Sequence, residues 1–542
     1  MQTNPWWRGA VIYQVYPRSL MDSNSDGIGD IPGIISKLDY IASLGVDAIW
    51  VSPFFKSPMK DFGYDISDYR DIDPIFGTLD DFDRLIEQAH AKGIKIIIDQ
   101  VLSHTSDQHA WFEESRQCRN NPKADWYVWA DPKEDGTPPN NWLSIFGGCA
   151  WEWEPRREQY YLHNFLKSQP DLNFHNPEVR AEILDEVEFW LKRGVDGLRL
   201  DAITFCFHDQ KLRDNPAKPK EERKGRGFTE DNPYAFQYHW YNNDRPENVQ
   251  FLESLRKVMD RYPGSVTLGE ISSEDSLATM AEYTKGNDRL HTTYSFELLV
   301  ENFSTRYIRE TVETLEASLA EGWPCWSIGN HDVRRVMTRW GGADKSDALA
   351  KLFNAMMLSL RGSVCSYQGE ELGLTEAALQ KHELQDPYGI TFWPRFKGRD
   401  GCRTPMPWQK DVHTAGFSEA ETTWLPIPQE HRIKAVDVQD KNPDSVLNAY
   451  RIFVHWRTDQ PALRLGDIEF QDTPEGQMLF TRRHDDQALL VAMNFSNKEV
   501  ALDVEHLNAG PALEGHGFSG ARIEGRQLIL PAYGAGYFSL DG

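Results

Sequence analysis

Eight short apolar runs rich in β-branched residues recur along this chain, and several are separated by segments with helical periodicity. The runs cover residues 10–16, 48–52, 94–99, 195–201, 266–270, 292–296, 325–329 and 363–367. The clearest helix is predicted between the second and third runs, where Thr78 caps the helix, Asp81 follows three residues later and Gly93 ends it. Buried parallel strands that alternate with helices are typical of α/β proteins. Eight such units predict a (β/α)8 TIM barrel.

Two long gaps interrupt the alternation and predict additional segments. The stretch after the third run is far longer than a strand–helix connection needs, and it is rich in Trp, Pro, Asn and Gly. We expect residues 105–174 to form an inserted subdomain, which divides the catalytic barrel into residues 1–104 and 175–467. After the eighth run, residues 374–435 are predicted to form a long irregular loop.

The last part of the chain, residues 468–542, carries short alternating strands bounded by turn residues. The strands are expected at residues 488–494, 499–504, 522–528 and 536–540. This pattern predicts a C-terminal antiparallel β-sandwich domain.

The charge of the chain limits its partners. With 58 Lys and Arg residues against 83 Asp and Glu residues, the formal net charge is −25. Such a chain repels nucleic acids and anionic lipids, so we expect neither as a partner. It has no apolar run long enough to cross a membrane and no export signal at its start, which predicts a cytoplasmic location with mostly reduced cysteines. Nothing in the sequence indicates an oligomeric state.

Carboxylates stand at the ends of several predicted barrel strands, where a (β/α)8 barrel builds its active site. The fourth run ends at Asp201, the fifth ends at Glu270, and Asp332 follows the seventh. Further polar side chains stand at the same strand ends, namely Asp61, Tyr64, His104, Arg199 and His331. Each alone fits a helix cap, a salt bridge or a structural histidine as well as a functional group. Together they predict one site with three converging carboxylates.

Converging carboxylates without a His or Cys cluster favour glycosyl transfer. Cleavage of a glycosidic bond needs one protonated acid for the leaving oxygen and one ionised carboxylate for the anomeric carbon. A third carboxylate helps to keep the acid protonated through like-charge repulsion. Arg199 is expected to have the opposite effect on Asp201, which it should keep ionised as a nucleophile.

The segment DSNSDGIGD, residues 22–30, places oxygen ligands at alternate positions and has glycines for a tight turn. This chemistry suits a Ca²⁺ loop. The segment is not an EF-hand, because Gly33 stands where the bidentate Glu of an EF-hand would follow. A solvated loop of Asx turns is the alternative. We expect a structural cation here, away from the three carboxylates in sequence.

Five further segments carry a family resemblance: DQVLSH (99–104), QPDLNF (169–174), GLRLDA (197–202), LGEIS (268–272) and IGNHD (328–332). In this order they resemble the signature regions of glycoside hydrolase family 13, the α-amylase family. The opening WWRGAVIYQVYPRSLMDSNSDGIGD and the segments DFGYD and RDGCRTPMPW resemble the branch of α-glucosidases and oligo-1,6-glucosidases, especially bacterial transglucosylating α-glucosidases. The resemblance covers essentially the whole chain.

The resemblance assigns roles residue by residue. It implies that Asp201 is the nucleophile, Glu270 the general acid/base and Asp332 the transition-state stabiliser. It implies that the non-reducing glucose is bound by Asp61, Tyr64, His104, Arg199, His331 and Arg399. Asp61 and Arg399 are expected to close the pocket, which implies exo action. The implied ligands of a Ca²⁺ or Mg²⁺ ion are Asp22, Asn24, Asp26, Asp30 and the carbonyl of Ile28. No organic cofactor is implied.

Two aromatic residues and one alanine refine this picture. Phe146 and Phe165 of the inserted subdomain are candidates to line the sugar site, although packing explains them equally well. Ala202 follows the implied nucleophile, at a position where α-1,6-specific members of the branch tend to carry Val. We expect this to favour α-1,4 linkages, since one side chain changes discrimination by about 1 to 3 kcal/mol.

The resulting hypothesis is a retaining, exo-acting α-glucosidase of short α-glucosides such as maltose or sucrose, in which sugar or alcohol acceptors compete with water for a covalent intermediate. A sucrose isomerase or a trehalose synthase-like enzyme is the alternative that shares the same acids. A non-catalytic sugar-binding member of the fold is a remote alternative, which should have lost at least one of the three acids.

Overall fold

Parallel strands dominate the computed structural model, which describes residues 4–223 and 232–540. The strands among these residues are β1 (Val11–Val15), β2 (Ala48–Val51), β3 (Phe55–Lys56), β4 (Asp68–Ile72), β5 (Lys95–Val101), β6 (Trp129–Ala130), β7 (Trp151–Glu154), β8 (Gln159–Leu162), β9 (Gly197–Asp201), β10 (Val266–Ile271), β11 (Thr292–Ser295), β12 (Cys325–Trp326), β13 (Ser363–Tyr367), β14 (Asp467–Phe470), β15 (Gln477–His484), β16 (Gln487–Asn494), β17 (Val500–Asp503), β18 (Ala509–Ala512), β19 (Arg522–Glu524), β20 (Gln527–Leu530) and β21 (Gly534–Leu540).

Helices connect most of the barrel strands. The α-helices among the described residues are α1 (Pro17–Leu20), α2 (Ile31–Ser36), α3 (Leu38–Ser43), α4 (Leu79–Ala91), α5 (Ala110–Ser115), α6 (Pro177–Lys192), α7 (Asn248–Met259), α8 (Ser276–Tyr283), α9 (Thr305–Leu319), α10 (Val336–Arg339), α11 (Asp347–Ser359), α12 (Pro387–Phe392), α13 (Gln429–Ile433), α14 (Val436–Gln439), α15 (Val446–Thr458) and α16 (Pro461–Leu465). In the described part of the chain, no helix is both long and apolar enough to cross a membrane.

The barrel is an eight-stranded parallel sheet with the strand order β11-β10-β9-β5-β2-β1-β13-β12. A parallel bridge between Thr293 and Pro324 joins the two end strands and closes the sheet. Each predicted run coincides with one of these eight strands, which confirms the predicted (β/α)8 barrel. Alternate residues of a strand face opposite sides. Accordingly Ile12 belongs to one buried cluster, whereas its neighbours Val11 and Tyr13 belong to another.

Helix α4 shows why the sequence prediction worked. The Thr78 side chain accepts a hydrogen bond from the Asp81 N–H at 3.2 Å, and the Asp81 carboxylate accepts one from the Thr78 N–H at 2.9 Å. This is the capping box that the sequence predicts. The buried face contains Phe82, Leu85, Ile86 and Ala89. Gly93 follows the helix with a φ of +76°, a conformation that favours glycine.

The insertion and the C-terminal part have antiparallel sheets. Strands β6, β8 and β7 form a small sheet between β5 and α6. At the C-terminal end, a sheet of order β14-β15-β16-β21-β18 and one of order β17-β20-β19 share a buried apolar cluster, as expected for a β-sandwich. The exact domain limits stay predictions.

Some local predictions differ from the structure. The strand predicted over 522–528 is wrong, because the chain turns back at Gly525, which has a φ of +62°, and forms the hairpin β19–β20. Strands β14, β15 and β18 were not predicted. The stretch 374–435 is largely irregular, as expected, but contains α12 and α13.

Candidate active site

A pocket with an empty volume of about 730 Å³ lies at the carboxyl ends of the barrel strands. It is lined by Asp61, Tyr64, His104, Ile145, Phe146, Phe165, Gln169, Asp201, Ala202, Phe205, Glu270, Ser272, Phe296, Asp332, Tyr388 and Arg399. The pocket therefore brings together the three predicted catalytic carboxylates and most of the predicted sugar-binding residues. Arg199 and His331 are fully buried behind its wall and contact lining residues.

Arg199 connects three carboxylates. It stands two residues before Asp201 on β9, so both side chains leave the strand on the same side. Its Nη1 donates to Asp201 Oδ1 at 2.7 Å and to Asp99 Oδ1 at 2.8 Å. Its Nη2 forms an ion pair with Glu270 Oε1. The single positive charge of Arg199 is therefore shared by three buried carboxyl groups.

Because one cation is shared by three carboxyl groups, it does not offset the effect of burial on the pKa values of Glu270 and Asp201. Burial raises the pKa of Glu270 to about 7; Arg199 opposes the shift, and the negative charges of Asp201 and Asp332 add to it. Burial also raises the pKa of Asp201 to about 7. Arg199 lowers the pKa of Asp201, as expected from the sequence, but burial outweighs it in the open pocket. Near neutral pH the pair can therefore hold one proton between them, which is the state that acid and nucleophile require.

Asp332 has a different environment. Its Oδ1 accepts hydrogen bonds from Arg403 Nη2 at 3.1 Å and from Arg399 Nη1 at 3.2 Å. Burial alone would raise the pKa of Asp332, but the positive charges of these two guanidinium groups hold that pKa below its usual range. Asp332 therefore stays ionised and can stabilise positive charge that develops in the pocket.

One wall of the pocket is built around Arg399. Its guanidinium donates from Nε to Asp386 Oδ2 at 3.1 Å and from Nη2 to Asp386 Oδ1 at 2.8 Å. The same Nη2 donates to Asp61 Oδ1 at 2.7 Å. Gln169 Nε2 donates to the other oxygen of Asp61 at 3.1 Å. Asp61 and Arg399 are buried, and this network fixes both side chains against the pocket.

The two predicted histidines are neutral. Burial lowers the pKa of His104 to about 4 and holds the pKa of His331 well below its usual range. Gln14 Nε2 lies 2.7 Å from His331 Nδ1 and can only donate, so Nδ1 accepts and Nε2 carries the proton. His331 Nε2 lies 2.5 Å from the Tyr64 hydroxyl, which donates to Asp99 Oδ2 at 3.0 Å. This chain of hydrogen bonds links the histidine to the carboxylates around Arg199.

The two predicted aromatic residues both line the pocket and pack against its wall. The rings of Phe146 and Phe165 are 6.0 Å apart, and the Phe165 ring is 5.0 Å from His104. The Arg399 guanidinium carbon lies 5.1 Å from the Phe146 ring centre. Both interpretations of Phe146 and Phe165, as residues that line the pocket and as residues that pack in its wall, therefore agree with their positions.

The predicted cation loop after β1 lies apart from this pocket. Its side chains form Asx turns: Asp22 Oδ1 accepts from the Asn24 N–H at 2.9 Å, and Asp26 Oδ1 accepts from the Ile28 N–H at 2.8 Å. Asp30 caps α2 through the Gly33 N–H at 2.6 Å. These oxygen donors have the chemistry that suits Ca²⁺. Among the described residues, no three His, Cys, Asp or Glu side chains are grouped closely enough to hold a metal ion. A cation would therefore need Asn24 and the Ile28 carbonyl, and its presence stays a prediction.

Sequence reasoning missed several residues around the pocket. Tyr294 on β11 contacts both Arg199 and Glu270, and Asp386 holds Arg399. Tyr294 lies near the carboxyl end of a predicted barrel strand, so the strand-end rule could have included it. Asp386 lies in the irregular stretch 374–435, where the sequence pattern gives no signal for a contact with Arg399.

Comparisons with known proteins agree with this geometry. Residues 14–466 match the model of the alpha-amylase catalytic domain. A probable alpha-glucosidase of Rhizobium meliloti (strain 1021) is 54% identical over 533 residues, which are 98% of this chain and 96% of the relative. The crystal structure of XgtA, an alpha-glucosyl transfer enzyme, is 63% identical with a TM-score of 0.97 over 99% of this chain and 100% of that chain. A mutant isomaltulose synthase from Erwinia rhapontici NX5, solved in complex with its natural substrate sucrose, is 32% identical with a TM-score of 0.90 over 100% of both chains.

Proposed function

This chain belongs to the α-amylase family, glycoside hydrolase family 13, and from that membership we propose that it is a retaining, exo-acting α-glucosidase of short α-glucosides. Its α-glucosidase relatives make it a glycoside hydrolase. The observation that carries the finer proposal is the pair Asp201 and Glu270, which contact one guanidinium and have pKa values raised to about 7. Such a pair can supply one ionised and one protonated carboxyl group at the same time.

In the proposed first step, an Asp201 carboxylate oxygen attacks the anomeric carbon of the terminal α-glucosyl residue. The bond from that carbon to the leaving oxygen breaks, and Glu270 gives its proton to the leaving oxygen. The product is a β-glucosyl ester on Asp201 and a released alcohol or sugar. The oxocarbenium-like charge of the transition state is stabilised by the ionised Asp332.

In the second step, Glu270 is a carboxylate and accepts a proton from the incoming hydroxyl. When water attacks the anomeric carbon, the ester bond to Asp201 breaks and α-glucose is released. When the hydroxyl of a sugar or alcohol attacks instead, the product is a new α-glucoside. Both outcomes use the same intermediate, so transglucosylation needs no additional catalytic group.

Exo action is proposed from the wall at Asp61 and Arg399. Both side chains are fixed by buried hydrogen bonds to Asp386 and Gln169, so they cannot move aside for further sugar units without leaving charges unpaired. A single non-reducing glucose unit is the ligand that such a closed pocket accepts. The neutral His104 lines the pocket and faces this glucose unit, whereas His331 lies behind the wall and holds the Tyr64 hydroxyl in place.

The proposed function is tested by NMR of the first products from maltose and, separately, from sucrose. Early α-glucose, with or without new transfer products, would support a retaining α-glucosidase. Early β-glucose would contradict the double displacement and the role of Asp201. Because a sucrose-bound isomaltulose synthase shares this fold, a sucrose isomerase is the second candidate, and isomaltulose as the main product from sucrose would favour it. Trehalose from maltose would favour a trehalose synthase-like enzyme.

Linkage preference is proposed to depend on Ala202. This residue lines the pocket directly after Asp201 and has a φ of +45°, which disfavours a β-branched side chain. We expect Ala202→Val to lower the ratio of kcat/KM for maltose to that for isomaltose by about tenfold or more. Ala202→Gly is the control, since it keeps the backbone conformation without narrowing the pocket. A ratio that Ala202→Val leaves unchanged would contradict the proposal.

We also propose that the loop 22–30 holds a structural Ca²⁺ or Mg²⁺ ion. Its support is the set of alternating oxygen donors, and the ion would stabilise the loop between α1 and α2. Adding Ca²⁺ at about a hundred times its Kd to chelator-treated protein should stabilise the fold by about 2.7 kcal/mol. Asp26→Asn should remove that gain, whereas Asp39→Asn, an exposed acid elsewhere, should keep it. A melting temperature that does not respond to Ca²⁺ or Mg²⁺ would exclude the ion.

A further inference from the structure

Tyr294 is a buried residue of β11 that contacts both Arg199 and Glu270. Its hydroxyl accepts hydrogen bonds from Arg199 Nη2 at 2.7 Å and Nε at 3.2 Å. The same hydroxyl donates to Glu270 Oε1 at 3.0 Å. The side chain is 1% exposed and does not line the pocket, so it reaches the substrate only through these two partners.

The two oxygens of Glu270 consequently have different surroundings. Oε1 receives the Tyr294 hydroxyl and the Nη2 of Arg199. Among the described residues, the donor to Oε2 is the Ala202 N–H, at 3.1 Å. An oxygen that already accepts a hydrogen bond and also forms an ion pair with a cation is a poor place for a proton. The added proton of the carboxyl group therefore belongs on Oε2.

We propose that Tyr294 is a positioning residue for the general acid: together with Arg199 it occupies Glu270 Oε1 and so confines the transferred proton to Oε2. This inference rests on the proposed role of Glu270 as acid/base. Without the Tyr294 hydroxyl, the carboxyl group loses one of its three fixed contacts and can rotate or take its proton on Oε1. The proton of Glu270 is then less well aligned with the leaving oxygen of the substrate.

The charges around Glu270 come from three strands or their ends: Arg199 and Asp201 of β9, Asp99 of β5 and Asp332 after β12. Tyr294 of β11 adds a neutral hydroxyl. Tyr294→Phe leaves all of these charges in place and removes one neutral donor. Since a hydrogen bond to a carboxylate favours its ionised form, the loss raises the pKa of Glu270. The alkaline limb of the kcat/KM profile, where the acid loses its proton, should then move to higher pH.

The test compares Tyr294→Phe with the unmodified enzyme on maltose and on p-nitrophenyl α-glucoside. Maltose needs protonation of its leaving oxygen, whereas p-nitrophenolate leaves with little help. We expect kcat/KM to fall about tenfold to a hundredfold for maltose and less than about threefold for the nitrophenyl glucoside. The alkaline limb for maltose should rise by about one pH unit.

Tyr13→Phe is the matched control. Tyr13 is a buried tyrosine of β1 whose hydroxyl donates to the buried carboxylate of Glu371 at 2.7 Å, away from the pocket. Its removal should lower the melting temperature without changing the maltose-to-nitrophenyl ratio or the pH profile. A purely structural role of Tyr294 predicts the same pattern for Tyr294→Phe, and that result would overturn the inference.

Two further measurements separate the remaining outcomes. If Tyr294→Phe does not fold, 3-fluorotyrosine at position 294 keeps the hydroxyl and makes it a stronger donor, so the alkaline limb should move to lower pH; an unmoved limb would contradict the inference. Glu270→Gln, measured in parallel, tests the proposed acid itself. If Glu270→Gln shows the leaving-group dependence and Tyr294→Phe does not, only the proposed role of Tyr294 is wrong. If neither variant shows it, the proposed role of Glu270 as general acid is wrong, and the role of Tyr294, which rests on it, is wrong as well.

Discussion

Replacing Asp201 with Asn should abolish the turnover of both maltose and p-nitrophenyl α-glucoside, with kcat lower by about 10⁴-fold or more. Asn has nearly the same shape, and its carbonyl oxygen can still accept the 2.7 Å hydrogen bond from Arg199 Nη1. It cannot form the glucosyl ester, so a good leaving group should not rescue the variant. Steady-state kinetics with both substrates measure the effect.

The stability of this variant provides an independent check. Burial raises the pKa of Asp201 to about 7, and an acid whose folded pKa is raised costs stability as the pH rises above its unfolded pKa. Asn removes that cost, so the variant should melt at the same or a higher temperature at neutral pH. A well-folded variant with unchanged kcat would rule out Asp201 as the nucleophile.

Asp209→Asn is the matched control. Asp209 is also buried and also bound to an arginine, with its Oδ2 accepting from Arg213 Nε at 2.9 Å. It does not line the pocket. This change should lower stability, because the ion pair with Arg213 lowers the pKa of Asp209 to about 2 and stabilises the folded state above that pH. It should leave kcat nearly unchanged.

The barrel and the positions of its acids could be predicted because both depend on local pattern. A run such as 195–201 is apolar and β-branched enough to form a buried parallel strand whatever surrounds it. Once the strands are known, topology brings their carboxyl ends to one face, which is why Asp201, Glu270 and Asp332 could be placed in one pocket without knowing any distance.

Contacts between distant and irregular segments could not be predicted. Arg399 binds Asp61, a residue 338 positions away, and Asp386, which lies in the same irregular stretch as Arg399. Neither contact can be predicted from the hydrophobic periodicity that identifies helices and strands in the sequence. The hairpin β19–β20 was missed for a related reason: one glycine, Gly525, reverses the chain, and its neighbours read as a continuous strand.

Protonation shows a further limit of sequence reasoning. The sequence placed Arg199 beside Asp201, and a single ion pair predicts an ionised carboxylate. The structure gives the same guanidinium two more carboxylates, Asp99 and Glu270, so its charge is divided. The pKa values of Asp201 and Glu270 are consequently both raised. Because these two pKa values are similar, they do not identify which carboxyl group is the acid and which is the nucleophile. That assignment depends on the position of each group relative to the substrate.

Replacing Glu270 with Gln should separate substrates by their leaving groups. We expect kcat/KM for maltose to fall by about 10² to 10⁴-fold, because no proton reaches the leaving sugar. For p-nitrophenyl α-glucoside the fall should be less than about tenfold in the first step, since the leaving group is already a weak base. The alkaline limb of the maltose profile should disappear with the group that titrates at a pKa of about 7.

The second step of the same variant carries the sharper test. Without Glu270 as a base, water attacks the glucosyl ester slowly, and a burst of nitrophenol should precede a slow steady state. Azide is an anion that needs no base, so it should restore the steady-state rate and yield α-glucosyl azide with retained configuration. Glu154→Gln, a change of a buried glutamate that pairs with Arg116 outside the pocket, should show neither the burst nor the azide effect. Equal losses on both substrates, with no rescue by azide, would show that Glu270 supports the fold of the pocket and that another group transfers the proton.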